Sequence, residues 1–301
     1  MAVSVSVVIA SGAGGEFLFR CLDSLRPQLD GGEGGGVELI VVDRCGGETA
    51  ARLERDYPTV RLERAEGGAR PSVPELRRRG ALLARNDVVA ILEEHCTAPP
   101  GWLATLRGEF REGDAAIGGP ILDDGYARVR DWVVYLMEYH NYLPPWPDGP
   151  RYALNGANVA YDRAKLLRHA ETLDRGYWEV VLHPELVREG AFRAVGALGV
   201  HHTGPFDFRY YLGQRYLLSR AWGGAQRERV SARQRLLYLL LAPVLPGMLV
   251  GRITGRVLRS GLGLGPLVRS LPLLTVAAVT YVWGEWLGYL AGPGDALERV
   301  E

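Results

Sequence analysis

Asp87-Val-Val-Ala-Ile-Leu-Glu-Glu-His95 (DVVAILEEH, residues 87–95) is the stretch on which the reading of this chain turns. Five apolar residues in a row, most of them β-branched, suit a strand covered on both faces. The run stops abruptly on two carboxylates and an imidazole. A strand that apolar ends inside the fold, so its polar end should open into a crevice rather than into bulk solvent.

Working outward, the same pattern recurs. Val3 to Ala10 is a second buried strand, closed by the loop Ser11-Gly12-Ala13-Gly14-Gly15. It has no basic segment ahead of a long apolar core, so it reads as a strand rather than a signal peptide. Glu16 to Leu29 carries Phe17, Leu18, Cys21, Leu22 and Leu25 at helical spacing, and Asp30 to Gly36 is a glycine-rich loop. Val37 to Asp43 is a third buried strand, Val60 to Leu62 a short further one, and Glu75 to Ala84 a helix. Strands alternating with helices imply an α/β fold with a mostly parallel, doubly wound sheet. In such sheets ligands bind at the carboxyl ends of the strands. Ser11, Asp43 and Glu93 to His95 occupy three of those ends and should converge.

Bulk composition narrows the class. The chain has 301 residues, 47% of them apolar, with 35 basic and 35 acidic side chains. That balance gives no field for nucleic acid, which is excluded as a partner. Cys21, Cys45 and Cys96 are odd in number and lack metal or redox spacing, so they read as reduced thiols. Aromatic residues and prolines crowd Trp132 to Pro150, as in a substrate-facing segment.

After Arg235 the composition shifts. Leu236 to Gly251 holds one run, with Pro243 and Pro246, and Ser270 to Gly284 holds another. Each is about 15 residues long, short of the roughly 20 that span a bilayer. Arg252, Arg256, Arg259 and Arg269 lie between them. Two spans would put these arginines on the outer side of a cytoplasmic enzyme, against the positive-inside tendency. Helices lying in the cytoplasmic leaflet, arginines at lipid phosphates, fit better. The expected division is 1–230 for the α/β domain and 231–301 for a membrane-associated helical tail.

The ordered set SVSVVIAS (4–11), ELIVVDRCGGET (38–49), LRRRGALLARNDVVAILEEHCTAPPGWL (76–103), GANVAYDRAKL (156–166) and WEVVLHPELVREG (178–190) resembles the family-2 glycosyltransferases. The resemblance covers roughly the first 225 residues and implies the GT-A fold. It implies an inverting transferase that moves a sugar from a nucleoside-diphosphate-sugar donor to an acceptor hydroxyl. Cell-envelope polysaccharide or glycolipid synthesis, with a lipid-linked acceptor at the cytoplasmic membrane face, would suit the tail. By the same resemblance Ala10 and Ser11 touch the nucleotide and Asp43 bonds the base; Asp43 could equally cap the turn before Gly46-Gly47. Relatives carry an acidic D-x-D motif where this chain has Glu93-Glu94-His95. Alternate residues of an extended segment point the same way, so Glu93 and His95 are the expected ligands of Mn²⁺ or Mg²⁺, with Glu94 toward the sugar. Of Arg77, Arg78 and Arg79, Arg78 is expected at the diphosphate. Asn158 is expected on sugar hydroxyls, and His202 of the His201-His202 pair at the metal. Glu179 is the expected catalytic base, with Glu185 behind it. A catalytically silent nucleotide-sugar-binding or scaffolding protein of the same fold is the rival reading, because the metal motif is altered and Val180 stands where relatives carry a second acid.

Overall fold

The computed structural model describes residues 3–29, 36–65, 70–173, 178–227 and 229–299. The glycine-rich stretch 30–35 lies outside the described residues. In chain order the elements are β1 (Val5–Ser11), α1 (Gly15–Gln28), β2 (Val37–Asp43), α2 (Gly47–Asp56), β3 (Arg61–Arg64), α3 (Val73–Leu83), β4 (Val88–Leu92) and β5 (Cys96–Thr97). Then come α4 (Trp102–Glu109), β6 (Asp114–Gly118), β7 (Ile121–Leu122), α5 (Val129–Tyr139), β8 (Gly149–Pro150), β9 (Asn158–Asp162), α6 (Arg163–Arg168) and α7 (Ala170–Leu173). The last are α8 (Trp178–Val181), α9 (His183–Leu186), β10 (Ala191–Ala194), β11 (Val200–His202), α10 (Phe208–Arg227), α11 (Ala232–Leu241), α12 (Leu245–Ser260), α13 (Leu264–Ala291) and α14 (Ala296–Arg299).

The chain divides into two compact units. The first comprises Met1–Asp124 and Trp146–Thr203; the second comprises Gly125–Pro145 and Gly204–Glu301. The first unit is built on an eight-stranded sheet of order β3-β2-β1-β4-β9-β6-β10-β8. β3, β2, β1 and β4 run parallel, as does the β6–β10 pair, while β9 is antiparallel to both β4 and β6. All seven residues of β1 and all five of β4 are buried, as expected of parallel strands covered on both faces. Helix α3 starts cleanly because Ser72 accepts the Glu75 amide and Pro74 sits in the first turn. A small sheet of order β5-β11-β7 lies beyond the end of β4. It pairs His202 with Cys96 and His201 with Thr97.

The second unit is helical. Its backbone is the pair α10 and α13, which approach through glycines on both sides. A Cβ on Gly284 would fall 2.2 Å from Ser219 Oγ, and one on Gly288 would fall 2.3 Å from the Arg220 carbonyl oxygen. Only glycine allows two helix backbones so near. α13 has 28 residues, about 42 Å at 1.5 Å per residue. The expectation that its apolar run is too short to span a bilayer is therefore corrected: the helix extends past Ser270–Gly284 at both ends and is long and apolar enough to cross. The other apolar run is broken, with α11 and α12 meeting at 71°. Its two prolines explain the break: Pro243 lies in the junction and Pro246 in the first turn of α12, where a missing amide donor is tolerated.

Gly288→Ala should overlap the Arg220 carbonyl and destabilise the protein by about 1–3 kcal/mol. Gly265→Ala, on the same helix with open space at its Cβ, should be neutral or stabilising. Thermal unfolding of the two variants side by side checks the packing, and equal effects would contradict it.

Candidate active site

Three strand ends of the first unit meet, as expected. At the β1 and β2 ends, the Ser11 hydroxyl donates to Asp43 at 2.7 Å, and Asp43 also accepts the amides of Cys45 at 3.2 Å and Gly46 at 2.8 Å. Asp43 thus caps the turn before Gly46-Gly47, one of its two expected tasks. Ala10, Ser11 and Asp43 are all buried.

The turn after β4 sends its side chains two ways. Glu94 is only 4% exposed. Its carboxylate accepts the backbone amides of Gly12 at 2.9 Å, Ala13 at 2.7 Å and Gly14 at 2.9 Å. Arg44 braces the same loop by donating to the carbonyls of Gly12 at 3.1 Å and Pro71 at 2.7 Å. Burial pushes the Glu94 carboxyl up, against the downward pull of His95 and the three amides. Expected to face a sugar, Glu94 instead shapes the β1–α1 loop with both of its oxygens.

Glu93 and His95 face the other way and each other, Nδ1 to Oε1 at 3.5 Å, with side chains 27% and 19% exposed. The His95 ring lies 4.3 Å from that of Phe17 and 6.2 Å from that of His202, centre to centre. Burial would raise the Glu93 pKa, but the His95 hydrogen bond and the charges of His95, His202 and Arg77 outweigh it and hold the carboxyl well below its usual range. Burial would lower His95, but the hydrogen bond and charge of Glu93, with Glu94 behind, raise it. His202 is buried beside His95, and Thr203 fixes the pair by donating its amide and hydroxyl to the His95 carbonyl at 2.7 and 2.9 Å. His201 turns away, its Nδ1 bonded to the Asp123 carbonyl at 2.9 Å.

Across the crevice lies Glu179, at the start of α8. Its Oε1 is 3.5 Å from an Arg77 guanidinium nitrogen. The carboxylate rests on Gly156, where a Cβ would come within 1.7 Å of Oε1. The next residue, Ala157, accepts the Glu93 amide at 3.0 Å, so one short loop positions both acids. The arginine paired with Glu179 is Arg77, one position before the expected Arg78. Helical phase could have found it. At about 100° per residue, Arg77 falls between Gly80 and Ala81 on the buried arc of α3, with Arg78 beyond that arc and Arg79 on the far side, paired with Glu75.

Two other candidates have structural tasks. Asn158 is fully buried, its amide donating to the Leu198 carbonyl and its Oδ1 accepting Trp102 Nε1 at 3.3 Å. In this conformation it pins β9 rather than reaching a sugar. Glu185 pairs with His169 at 3.0 Å, away from Arg77. His183 was missed by sequence reading. It is fully buried, with Nε2 2.7 Å from Tyr161 Oη and Nδ1 3.4 Å from the Leu154 amide nitrogen. The amide makes Nδ1 an acceptor, so the proton sits on Nε2 and the ring is neutral.

Among the described residues no three acidic, histidine or cysteine side chains close a metal cage. What the site offers is two partly exposed donors of different kinds, carboxylate and imidazole. That fits an ion which takes the rest of its shell from phosphate and water.

A mostly parallel α/β sheet with this polar crest at its strand ends is the arrangement that the GT-A fold requires. Residues 6–171, more than half of the chain, match the glycosyl transferase family 2, and the chain belongs to that family. Among solved structures it is similar to the mannosyltransferase PcManGT from Pyrobaculum calidifontis in complex with GDP-Man and Mn²⁺, at 15% identity and a TM-score of 0.57 over 97% of this chain and 88% of that one. It is also similar to S. aureus TarS 1-349, at 13% identity and a TM-score of 0.52 over 96% and 90%. A third is GalNAc-T7 with UDP, GalNAc and Mn²⁺, at 20% identity and a TM-score of 0.50 over 69% and 44%. At such identities these likenesses establish the fold. No curated protein sequence matches the chain.

Burial lowers the His183 pKa from 6.5 to about 4, against a weaker opposing pull from Glu179. The unfolded chain therefore takes up this proton first as pH falls. The stability due to the neutral ring is complete above pH 6.5 and is lost as pH drops toward 4, about 3 kcal/mol in all. Urea unfolding at several pH values should show that His183→Gln loses this share of the acid dependence. An unchanged slope would contradict the assignment.

Proposed function

We propose that this chain transfers a sugar, with inversion, from a nucleoside-diphosphate-sugar to an acceptor hydroxyl at the cytoplasmic face of a membrane. One observation carries the reading: Arg77 lies beside the Glu179 carboxylate and its charge also acts on Glu93. A carboxylate suited to act as base and a carboxylate–imidazole pair suited to a metal thus share one crevice. Glu179 takes the acceptor proton as the acceptor oxygen attacks the anomeric carbon. The glycosidic bond to the diphosphate breaks on the opposite face. Arg77 orients Glu179 and offers positive charge to the departing diphosphate. Glu93 and His95, with His202 behind them, would hold Mn²⁺ or Mg²⁺; when bound, the ion offsets charge on the leaving diphosphate. The loop shaped by Glu94, with Ala10, Ser11 and Asp43, forms the nucleotide side. The mannosyltransferase and GalNAc-T7 neighbours, solved with Mn²⁺ and with GDP-Man or UDP, support this donor class.

The second unit supports the membrane reading. Leu236, Leu237, Leu240, Leu241, Val244 and Met248 are exposed around the α11–α12 bend, and Val268, Val279, Trp283 and Leu290 are exposed along one face of α13. The opposite face of α13 packs on α10, which carries Arg209, Gln214, Arg215, Arg220, Gln226 and Arg227. A crossing α13 would carry those charges toward hydrocarbon, at a cost of several kcal/mol. An interfacial arrangement avoids it, so the length of α13 does not make it a span. Arg256 leaves the expected lipid-facing set, because it donates to the carbonyls of His140 at 3.2 Å and Leu143 at 3.4 Å. Arg252, Arg259 and Arg269 remain exposed. A lipid-linked acceptor in envelope polysaccharide or glycolipid synthesis fits this placement.

Glu179→Gln should retain donor binding and lose about 10²- to 10⁴-fold in transfer. Single-turnover assays with a nucleotide-sugar panel decide this, and near-normal turnover removes Glu179 from the role. Topology is tested with a cysteine at Ser260, in a Cys45→Ser background because Cys45 is exposed. A membrane-impermeant thiol reagent should label it from the cytoplasmic side. Labelling only from the opposite side would establish a crossing tail.

A further inference from the structure

The second unit contains a cavity that the transfer reaction does not use. Its volume is about 480 Å³, and it opens between Arg128–Arg130 and Pro205–Arg209. Its walls are fixed by one buried carboxylate. Asp131 accepts Arg128 Nε at 2.7 Å and an Arg128 terminal nitrogen at 2.6 Å, and it accepts the Phe206 amide at 2.9 Å. Arg128 also donates to the Phe206 carbonyl at 3.1 Å. Asp207, the acidic residue in the lining, accepts the Tyr210 amide at 2.9 Å as the cap of α10.

Arg130 and Arg209 differ from these. Both line the cavity and are exposed, and neither has a hydrogen bond or ion pair among the described residues. Some guanidinium groups of the chain pair with carboxylates, as Arg64 with Glu54, Arg168 with Glu189, Arg193 with Asp114 and Arg215 with Glu138, and others, such as Arg252 and Arg259, are simply exposed. Arg130 and Arg209 are set apart by lining one cavity together. Two unpaired forks at one preformed cavity are an arrangement for an anion with several oxygens, for which planar guanidinium geometry is suited. The same lining presents Phe206 and Phe208, which give an apolar wall beside the cationic one. Phosphate attached to an apolar body meets both demands.

We propose that this cavity binds the phosphate group of an amphiphilic phosphate ester, gripped by Arg130 and Arg209 with its apolar part against Phe206 and Phe208. The site is built wholly from the second unit, and the proposal stands apart from the identity of the transferred sugar.

Full-length protein is floated with vesicles of phosphatidylcholine alone and of phosphatidylcholine with phosphatidic acid. Selectivity for the phosphatidic acid vesicles is the readout, so apolar attachment of the tail cancels. The double substitution Arg130→Ala, Arg209→Ala removes no hydrogen bond or ion pair among the described residues and should reduce that selectivity about tenfold. Arg85→Ala, Arg188→Ala removes the same charge from exposed sites of the first unit and should leave selectivity intact. A second arm measures inorganic phosphate by phosphorus NMR line broadening, with wild type and both double variants. Broadening that only the cavity variant abolishes assigns the site to the phosphate group itself, whatever carries it. Vesicle selectivity without such broadening assigns it to a lipid headgroup. Equal loss in the two double variants, or none in the cavity variant on either probe, overturns the proposal.

Discussion

Two neighbouring carboxylates at the end of β4 point opposite ways, and the site depends on that alternation. The turn that follows β4, closed by the Cys96 amide donating to the Glu93 carbonyl at 2.8 Å, puts Glu93 and His95 on one side and Glu94 on the other. Glu94 gathers three consecutive amides of the β1–α1 loop. Buried amides left without acceptors would each cost about 1–3 kcal/mol, so this carboxylate decides the shape of the loop. Glu93 and His95 are thereby left facing the crevice as a mutually polarised pair. The β4 end is stitched to β11 through Thr203, and to the Gly156 loop through Ala157. Glu179 and His202, distant in sequence, reach the crevice by those two links.

Much of this was legible in the residues. β1, β2 and β4 are apolar at most buried positions, with Ser6, Ser11 and Asp43 the exceptions, so their existence and mostly parallel pairing followed from the sequence pattern. The convergence of their ends followed from the doubly wound topology. The i, i+2 rule of an extended segment put Glu93 and His95 on one side; the segment is a turn, so their shared side comes from turn geometry instead. The rule could not tell what Glu94 would find on the other side, because its partners are backbone amides, which no side-chain pattern announces. Asn158 misled for the same reason: its partners are the Leu198 carbonyl and the Trp102 indole, and in a sequence a buried amide looks like a sugar-binding one. Arg77 was legible through helical phase, but three adjacent arginines hid it.

The helical unit shows a different limit. Counting uncharged residues treats Arg269 and Glu285 as ends of the apolar run, whereas the helix is held by backbone hydrogen bonds and by close contact with α10, and runs through both. The glycines that allow the contact, Gly223 and Gly224 on one helix and Gly284 and Gly288 on the other, are spaced for packing. In a chain with 39 glycines they do not stand out. Their effect is to bind the most apolar helix to an arginine-bearing partner.

The central claim is that Arg77 and Glu179 work as one unit beside Glu93. A double-mutant cycle of Arg77→Gln and Glu179→Gln, read as single-turnover rate with a nucleotide-sugar donor, tests it most directly. Residues in contact that act together couple by about 0.5–3 kcal/mol. The account predicts that the double variant is little slower than Glu179→Gln alone. Strictly additive losses would contradict it and would separate the arginine from the base.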